Sequence, residues 1–236
     1  MSGYSGGGRH PGWNSKRREV QAVDVLEVAV DALTRWRKAG SRVTVVAIDG
    51  YGASGKTTIA GSLCARIVFS LVHADDFFKP ARQRPADPAR NESSHAPSPP
   101  VGERGRDLAD YYDVARLRSE ALEPLRAGHE ALFQRFDWDS GALSSVETRV
   151  APHELVVLEG VYSAAPELAD LVDKAIYVDT PEPERLRRLA ELVAPEEWDS
   201  GWLRAEKDYF DTTRPADSFD LVISGAGLDV RGGERS

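Results

Sequence analysis

Between Val45 and Gly61 the chain reads VVAIDGYGASGKTTIAG, and no other stretch restricts the fold as strongly. Gly50, Gly55, Lys56 and Thr57 satisfy the spacing G-x-x-x-x-G-K-T, directly after an apolar β-branched run and at the start of a helical pattern. Glycines let such a turn curl until successive backbone N–H groups point inward, at the positive end of the helix that follows. The result is an anion nest formed by Gly50, Gly52, Ala53, Ser54, Gly55, Lys56, Thr57 and Thr58. In it Lys56 reaches the β- and γ-phosphates of a nucleoside triphosphate, and the Thr57 hydroxyl is placed to ligate Mg²⁺. The motif works only when a buried strand delivers it and a helix receives it.

The rest of the chain supplies partners for that strand. "RVTVVAI" (Arg42 to Ile48), "IVFSLVHA" (Ile67 to Ala74), "ELVVLEG" (Glu154 to Gly160), "KAIYVD" (Lys174 to Asp179) and "FDLVIS" (Phe219 to Ser224) are short, nearly continuous apolar runs. Such runs suit parallel strands buried on both faces. Between them lie helical patterns. Val20, Val23, Leu26, Val30, Leu33 and Trp36 mark a helix from Arg18 to Ala39, closed by Gly40. A second runs from Lys56 to about Arg66, and a third from Leu108 to Ala127, with Leu117, Ala121, Leu122 and Leu125 inward and Gly128 after its end. "ALFQRF", the turn "DWDSGAL" and "VETRV" predict two further short strands. This alternation predicts an α/β fold, a three-layer sandwich on a mostly parallel sheet.

Length supports one such domain. The 236 residues, 41% hydrophobic, bury one substantial core. We expect a single domain over 18–224, with a loose segment at 1–17, a Pro- and Ser-rich flap at about 80–106, a charged helical lid at about 181–213 and a loose tail at 225–236. The formal charge of −8 opposes a surface built to neutralise a nucleic-acid backbone. The single cysteine, Cys64, excludes a disulfide framework or a cysteine zinc site and reads as a small apolar helix residue. No apolar run suffices to cross a bilayer and the start has no apolar secretory core, so the expectation is a cytoplasmic protein with no membrane or nucleic-acid partner. Nothing in the sequence demands a homo-oligomer.

Residues beyond the loop narrow the chemistry. "VHADDFFKP" (Val72 to Pro80) resembles the D-S-F-Y segment of uridine kinases and their phosphoribulokinase relatives. "RFDWDSGAL" resembles their Y-D-F or Y-D-W segment, and "LVVLEGVYSAAPELADLVDKAIYVDTPEPERLRR" their V-E-G strand, helix, strand and arginine-bearing lid. The matches keep their order from about Val43 to Ser224. The resemblance implies a nucleoside-kinase-like P-loop fold with a small helical lid, using ATP, or GTP as the alternative donor, with Mg²⁺. It implies Asp75 as the catalytic carboxylate, with Asp76 competing for the role. Adjacent residues at a strand end point to opposite sides, so only one is expected to face the phosphate. Asp75, Glu159 and Thr57 are the implied metal-site residues. Arg188 best matches the lid arginine that steadies charge on the transferring phosphoryl group, and Arg185 follows it as a nucleotide contact. The lid departs from the family where a second R-D segment is replaced by "AELVAPEEWDSGW".

The acceptor pocket is expected between Asp75, the flap, Tyr111 to Asp113 and Arg135 to Trp138. Phe77, Phe78, Tyr112, Phe136 and Trp138 offer either a flat slot or ordinary core packing. Asp107, Asp113, Arg135 and Asp137 are the polar candidates, with Asp107 and Asp113 competing for one role in the resemblance. The expected partner is a small molecule with a hydroxyl, a nucleoside first and another hydroxylated metabolite or natural product second. A regulatory P-loop NTPase with no small acceptor is the alternative from a different class.

Overall fold

The computed structural model describes residues 25–37, 42–84, 107–192 and 200–226. The expectations for 1–17, for most of the flap and for the end of the tail lie outside the described residues. Strand β1 (Thr44–Asp49) is buried at all six positions, as its unbroken apolar run requires. It lies between β5 (Leu155–Glu159) and β6 (Lys174–Asp179); β2 (Ser70–His73) pairs beyond β5, and β7 (Leu221–Ser224) beyond β6. The order is β2-β5-β1-β6-β7, and every pairing is parallel. In such a sheet the ligand crevice opens at the carboxyl ends of strands where the order reverses, here at the end of β1.

Alternation along β1 explains the three layers. Val46 and Ile48 face one core, shared with Ala29 and Leu33 of helix α1 (Val25–Trp36) and with Ile59 and Leu63 of α2 (Lys56–Cys64). Val45 and Ala47 face the other, which holds Phe77, Leu117, Leu122, Leu125 and Phe133. Leu117, Ala121, Leu122 and Leu125 all point inward as expected. Cys64 is helical but lies on the exposed face of α2.

The structure departs from three of the expected elements. The helix expected from Leu108 begins at Val114: α3 (Val114–Arg116), a π-helical stretch (Leu117–Leu122) and α4 (Glu123–Arg126) run on as one rod. Before it, Leu108–Asp110 forms a 3₁₀ turn and Tyr112 bridges to Phe78. Two aspartates that favour caps over helix interior account for this break. Asp107 caps the 3₁₀ turn and Asp113 caps α3 through the Arg116 amide. The second departure is at Asp75 and Asp76, which lie in a 3₁₀ turn (Ala74–Phe77) rather than at a strand end. The third is the hairpin: β3 (Ala131–Asp137) pairs antiparallel with a nine-residue β4 (Ala142–Val150), longer than "VETRV" alone, as a separate two-stranded sheet.

Candidate active site

The loop after β1 is built to hold an anion. Gly50 has φ +146°, and a Cβ there would lie 2.7 Å from the Val178 carbonyl oxygen, so only glycine fits between the loop and β6. Gly55, at φ +98°, precedes α2, and Ala53 adopts φ +58° despite its side chain. Such strain is tolerated where the surroundings determine it, commonly at functional sites. The Lys56 ammonium folds back to donate to the Tyr51 carbonyl at 2.8 Å. Ser54 is buried, and its hydroxyl has no protein partner within the loop.

Two carboxylates lie beside the loop, Glu159 at the end of β5 and Asp75 in the 3₁₀ turn after β2. Glu159, 4% exposed at the end of β5, accepts from the Thr57 hydroxyl at 3.2 Å and pairs with His73 Nδ1 at 2.5 Å. Burial pulls the His73 imidazolium down, but the hydrogen bond and charge of Glu159, with Asp76 and Asp75, outweigh it and raise its pKa. Gly160 allows this proximity: at φ +139° a Cβ would meet the Ala74 side chain at 2.7 Å, so β5 packs directly on the turn that carries Asp75. Thr57 and Glu159 are hard oxygen donors side by side at the phosphate nest, the set that Mg²⁺ uses together with substrate phosphates and water. These residues fit that ion.

Asp75 is exposed on the 3₁₀ turn, with its carboxyl among Glu159, Lys56, Tyr112 and His73. Desolvation first, then the Glu159 charge, push its pKa up against the pull of Lys56. Its Oδ1 accepts from the Tyr112 hydroxyl at 3.1 Å. Backbone bonds enforce that contact: Lys79 N donates to Tyr111 O at 2.7 Å, and Asp113 N to Phe77 O at 2.8 Å. Asp76 turns toward His73 and Arg135, and burial raises its pKa to about 6. The two aspartates thus differ in surroundings within one 3₁₀ turn: Tyr112 bonds Asp75, whereas Arg135 acts on Asp76.

The lid arginines meet the loop from behind. On α5 (Glu182–Leu192) only Arg185 and Arg188 are buried, and i, i+3 spacing puts them on one face. The Arg185 guanidinium lies 4.1 Å from the Tyr51 ring centroid and donates to the Gly52 carbonyl at 3.4 Å. Arg188 donates to the carbonyls of Ala53 at 3.3 Å, Ser54 at 3.4 Å and Gly225 at 2.9 Å, and bonds Glu184. Both arginines thus bond carbonyls of the loop, while its Gly50 and Gly52 amides donate to the carboxylates of Asp49 and Glu206.

The acceptor-side candidates separate into two groups. Phe78, Tyr112 and Phe136 come together beside Asp75, with Trp138 4.8 Å from Phe78 and 47% exposed. Phe78 is 5% exposed, enclosed by these rings, by Tyr111 and by the Arg84 guanidinium at 4.7 Å. It is a packed ring rather than an open stacking platform. Phe77 faces Phe133 in the core. Asp107 and Asp113 act as helix caps, and Asp137 binds the Asp139 amide and Ser140 hydroxyl of the hairpin turn, which hold its carboxyl low. Arg135 is exposed and acts on Asp76.

Three residues absent from these expectations belong to the site. Asp49 is fully buried and accepts from Gly50 N at 2.8 Å, Tyr162 N at 3.1 Å, Ala164 N at 2.9 Å and the Tyr209 hydroxyl at 2.9 Å. Burial raises its pKa in spite of those four donors. It ties the phosphate loop to the turn after β5 and to the lid. A carboxylate ending an apolar strand, as Glu159 does in β5, was the signal for it. Glu206 and Trp202, on α6 (Ser200–Asp208), had no such signal, because the charged lid sequence masks them.

Comparison with known proteins now bears on this arrangement. No protein-family model matches the chain, and no curated protein matches it. Solved structures do. A possible uridine kinase from Bacillus stearothermophilus superposes with a TM-score of 0.60 at 21% identity, over 84% of this chain and 97% of that one. A candidate fructose transport system kinase from Silicibacter sp. TM1040 gives 0.54 at 16% identity, over 84% and 98%. The chain has the uridine-kinase-like P-loop fold. At these identities the likeness concerns architecture, and both neighbours carry the name of a kinase. Among the described residues, no helix is long and apolar enough to cross a membrane.

Proposed function

We propose that the protein is a Mg²⁺- and ATP-dependent kinase that transfers a γ-phosphoryl group to a hydroxyl of a small molecule. One observation carries the reading: a phosphate cradle with Lys56 and Thr57 has a second carboxylate beside Glu159, that of Asp75, on the 3₁₀ turn that follows β2. A hydrolase or switch needs an ordered water, whereas a carboxylate beside a ring-lined wall suits a second substrate.

In this reading Lys56 leaves Tyr51 O for the β- and γ-phosphates, and the loop amides neutralise the developing charge. Thr57 and Glu159 hold Mg²⁺, which supplies charge neutralisation on the transferring group. Asp75 accepts the proton of the acceptor hydroxyl as its oxygen bonds the γ-phosphorus and the bond to the β-bridging oxygen breaks, releasing ADP. Tyr112 donates to Asp75 and fixes its rotamer, so the acceptor meets an oriented carboxylate. Burial and the Glu159 charge raise the Asp75 pKa against the pull of Lys56, which makes it a better proton acceptor. Nucleosides are the acceptor class that the family resemblance favours, and ATP the favoured donor over GTP.

The test is acceptor-dependent release of ADP from ATP and of GDP from GTP, over a panel of nucleosides, sugars, polyols and hydroxy acids, for the wild type and Asp75→Asn. We expect turnover with one class of acceptor and its loss in Asp75→Asn. ADP release that needs no acceptor and survives Asp75→Asn would make the protein an NTPase instead.

A further inference from the structure

One face of α6 and of the π-helical stretch that continues it (Tyr209–Thr213) joins the two halves of the crevice. Trp202, Glu206 and Tyr209 follow i, i+4, i+7 spacing, which aligns them on a single stripe. At the donor end, Glu206 is 2% exposed and its Oε1 accepts from the Gly52 amide at 2.6 Å. One turn on, the Tyr209 hydroxyl donates to Asp49 at 2.9 Å. At the acceptor end, the Trp202 ring lies 5.5 Å from Phe78, 5.1 Å from Tyr111 and 5.7 Å from Tyr112, the residue that holds Asp75. The lid helix is thus latched to the phosphate loop by two hydrogen bonds while its next turn roofs the acceptor side.

We propose that Trp202 is a specificity-determining residue of the acceptor site, and that Glu206 and Tyr209 are positioning residues that set its depth from the phosphate loop. This rests on the kinase reading above. The physical argument is leverage. Phe78 has its ring faces covered by its neighbours, so the walls adjust little and the roof decides which acceptor fits. The roof is anchored on Gly52 and Asp49, inside or next to the cradle, so nucleotide occupancy is sensed at Trp202.

Two experiments test it. Over the acceptor panel, Trp202→Ala raises the acceptor KM about tenfold and changes the rank order of acceptors, with a smaller effect on kcat, and Trp202→Phe restores the order. Separately, ADP titration of the full chain changes tryptophan emission. The change is lost in Trp202→Phe and weakened in Tyr209→Phe and Glu206→Gln, while all three variants keep the wild-type circular dichroism. A Trp202→Ala protein with an unchanged rank order overturns the assignment, as does an ADP titration that leaves emission unaltered. Should no acceptor be turned over by the wild type while ADP still moves the Trp202 signal, the kinase reading fails and the donor-to-roof coupling stands.

Discussion

The donor and acceptor halves of the crevice are built by opposite means. The donor half is one continuous segment, which in the proposed reading binds through its backbone, shaped by Gly50, Gly55 and carbonyl contacts from Arg185 and Arg188. The acceptor half is assembled from side chains on the Asp75 turn, the Tyr112 bridge, the β3 strand and the lid helix. Backbone recognition survives most side-chain drift, because any sequence that keeps the turn keeps the amides. Side-chain recognition changes with every substitution, so a shared fold carries donor chemistry further than acceptor identity.

That contrast can be broken at several points. The largest expected effect is in Asp75→Asn: kcat falls by about 10²–10⁴-fold, the usual worth of a positioned proton acceptor. Its nucleotide affinity, measured by calorimetry, stays near wild type, which would separate the halves cleanly. Lys56→Ala does the reverse, weakening nucleotide binding and lowering turnover by about 10²–10³-fold, as loss of one transition-state donor does. If Asp75→Asn weakened ATP binding as much as Lys56→Ala, the division would be wrong.

Asp49→Ala strikes the anchor common to both. It orphans three buried amides and the Tyr209 hydroxyl, and we expect a loss of about 2–4 kcal/mol in urea unfolding, because unpaired buried donors carry their full desolvation cost. The smallest effect belongs to Glu206→Gln, which keeps an acceptor for Gly52 N–H. Burial raises the Glu206 pKa above its ordinary value, so the folded state holds that proton more tightly than the unfolded one. Wild-type stability from this group is therefore greatest below the unfolded pKa and declines as pH rises through the folded one. Glu206→Gln should lack that decline, so its stability gain over wild type appears at neutral pH and vanishes toward pH 4; chemical unfolding at a series of pH values measures it.

Legibility in the sequence follows the same division. The cradle, the five buried runs and the carboxylate at the end of "LVVLE" could be read because each is local: a spacing, a period or a strand terminus. Asp107 and Asp113 attracted attention as polar candidates, yet a short acidic side chain is equally a helix cap, and only the fold distinguishes the two uses. For Phe78 and Phe136 the sequence left a stacking slot and core packing equally open, and the fold packs them against each other. Glu206 and Trp202 were hidden, since a charged amphipathic helix looks the same whether its stripe meets solvent or a phosphate loop.

By itself, then, the sequence determined a strand–turn–helix with the phosphate-loop spacing in a parallel α/β sheet, with a carboxylate at the end of the run "LVVLE". These follow from backbone geometry within a few residues of one another. Tertiary structure decided that Tyr112 bonds Asp75, that Arg185 and Arg188 grip the loop, and that Gly52 and Glu206, 154 positions apart, share a hydrogen bond. Such pairings arise where chain topology folds distant segments together, and no local period encodes them.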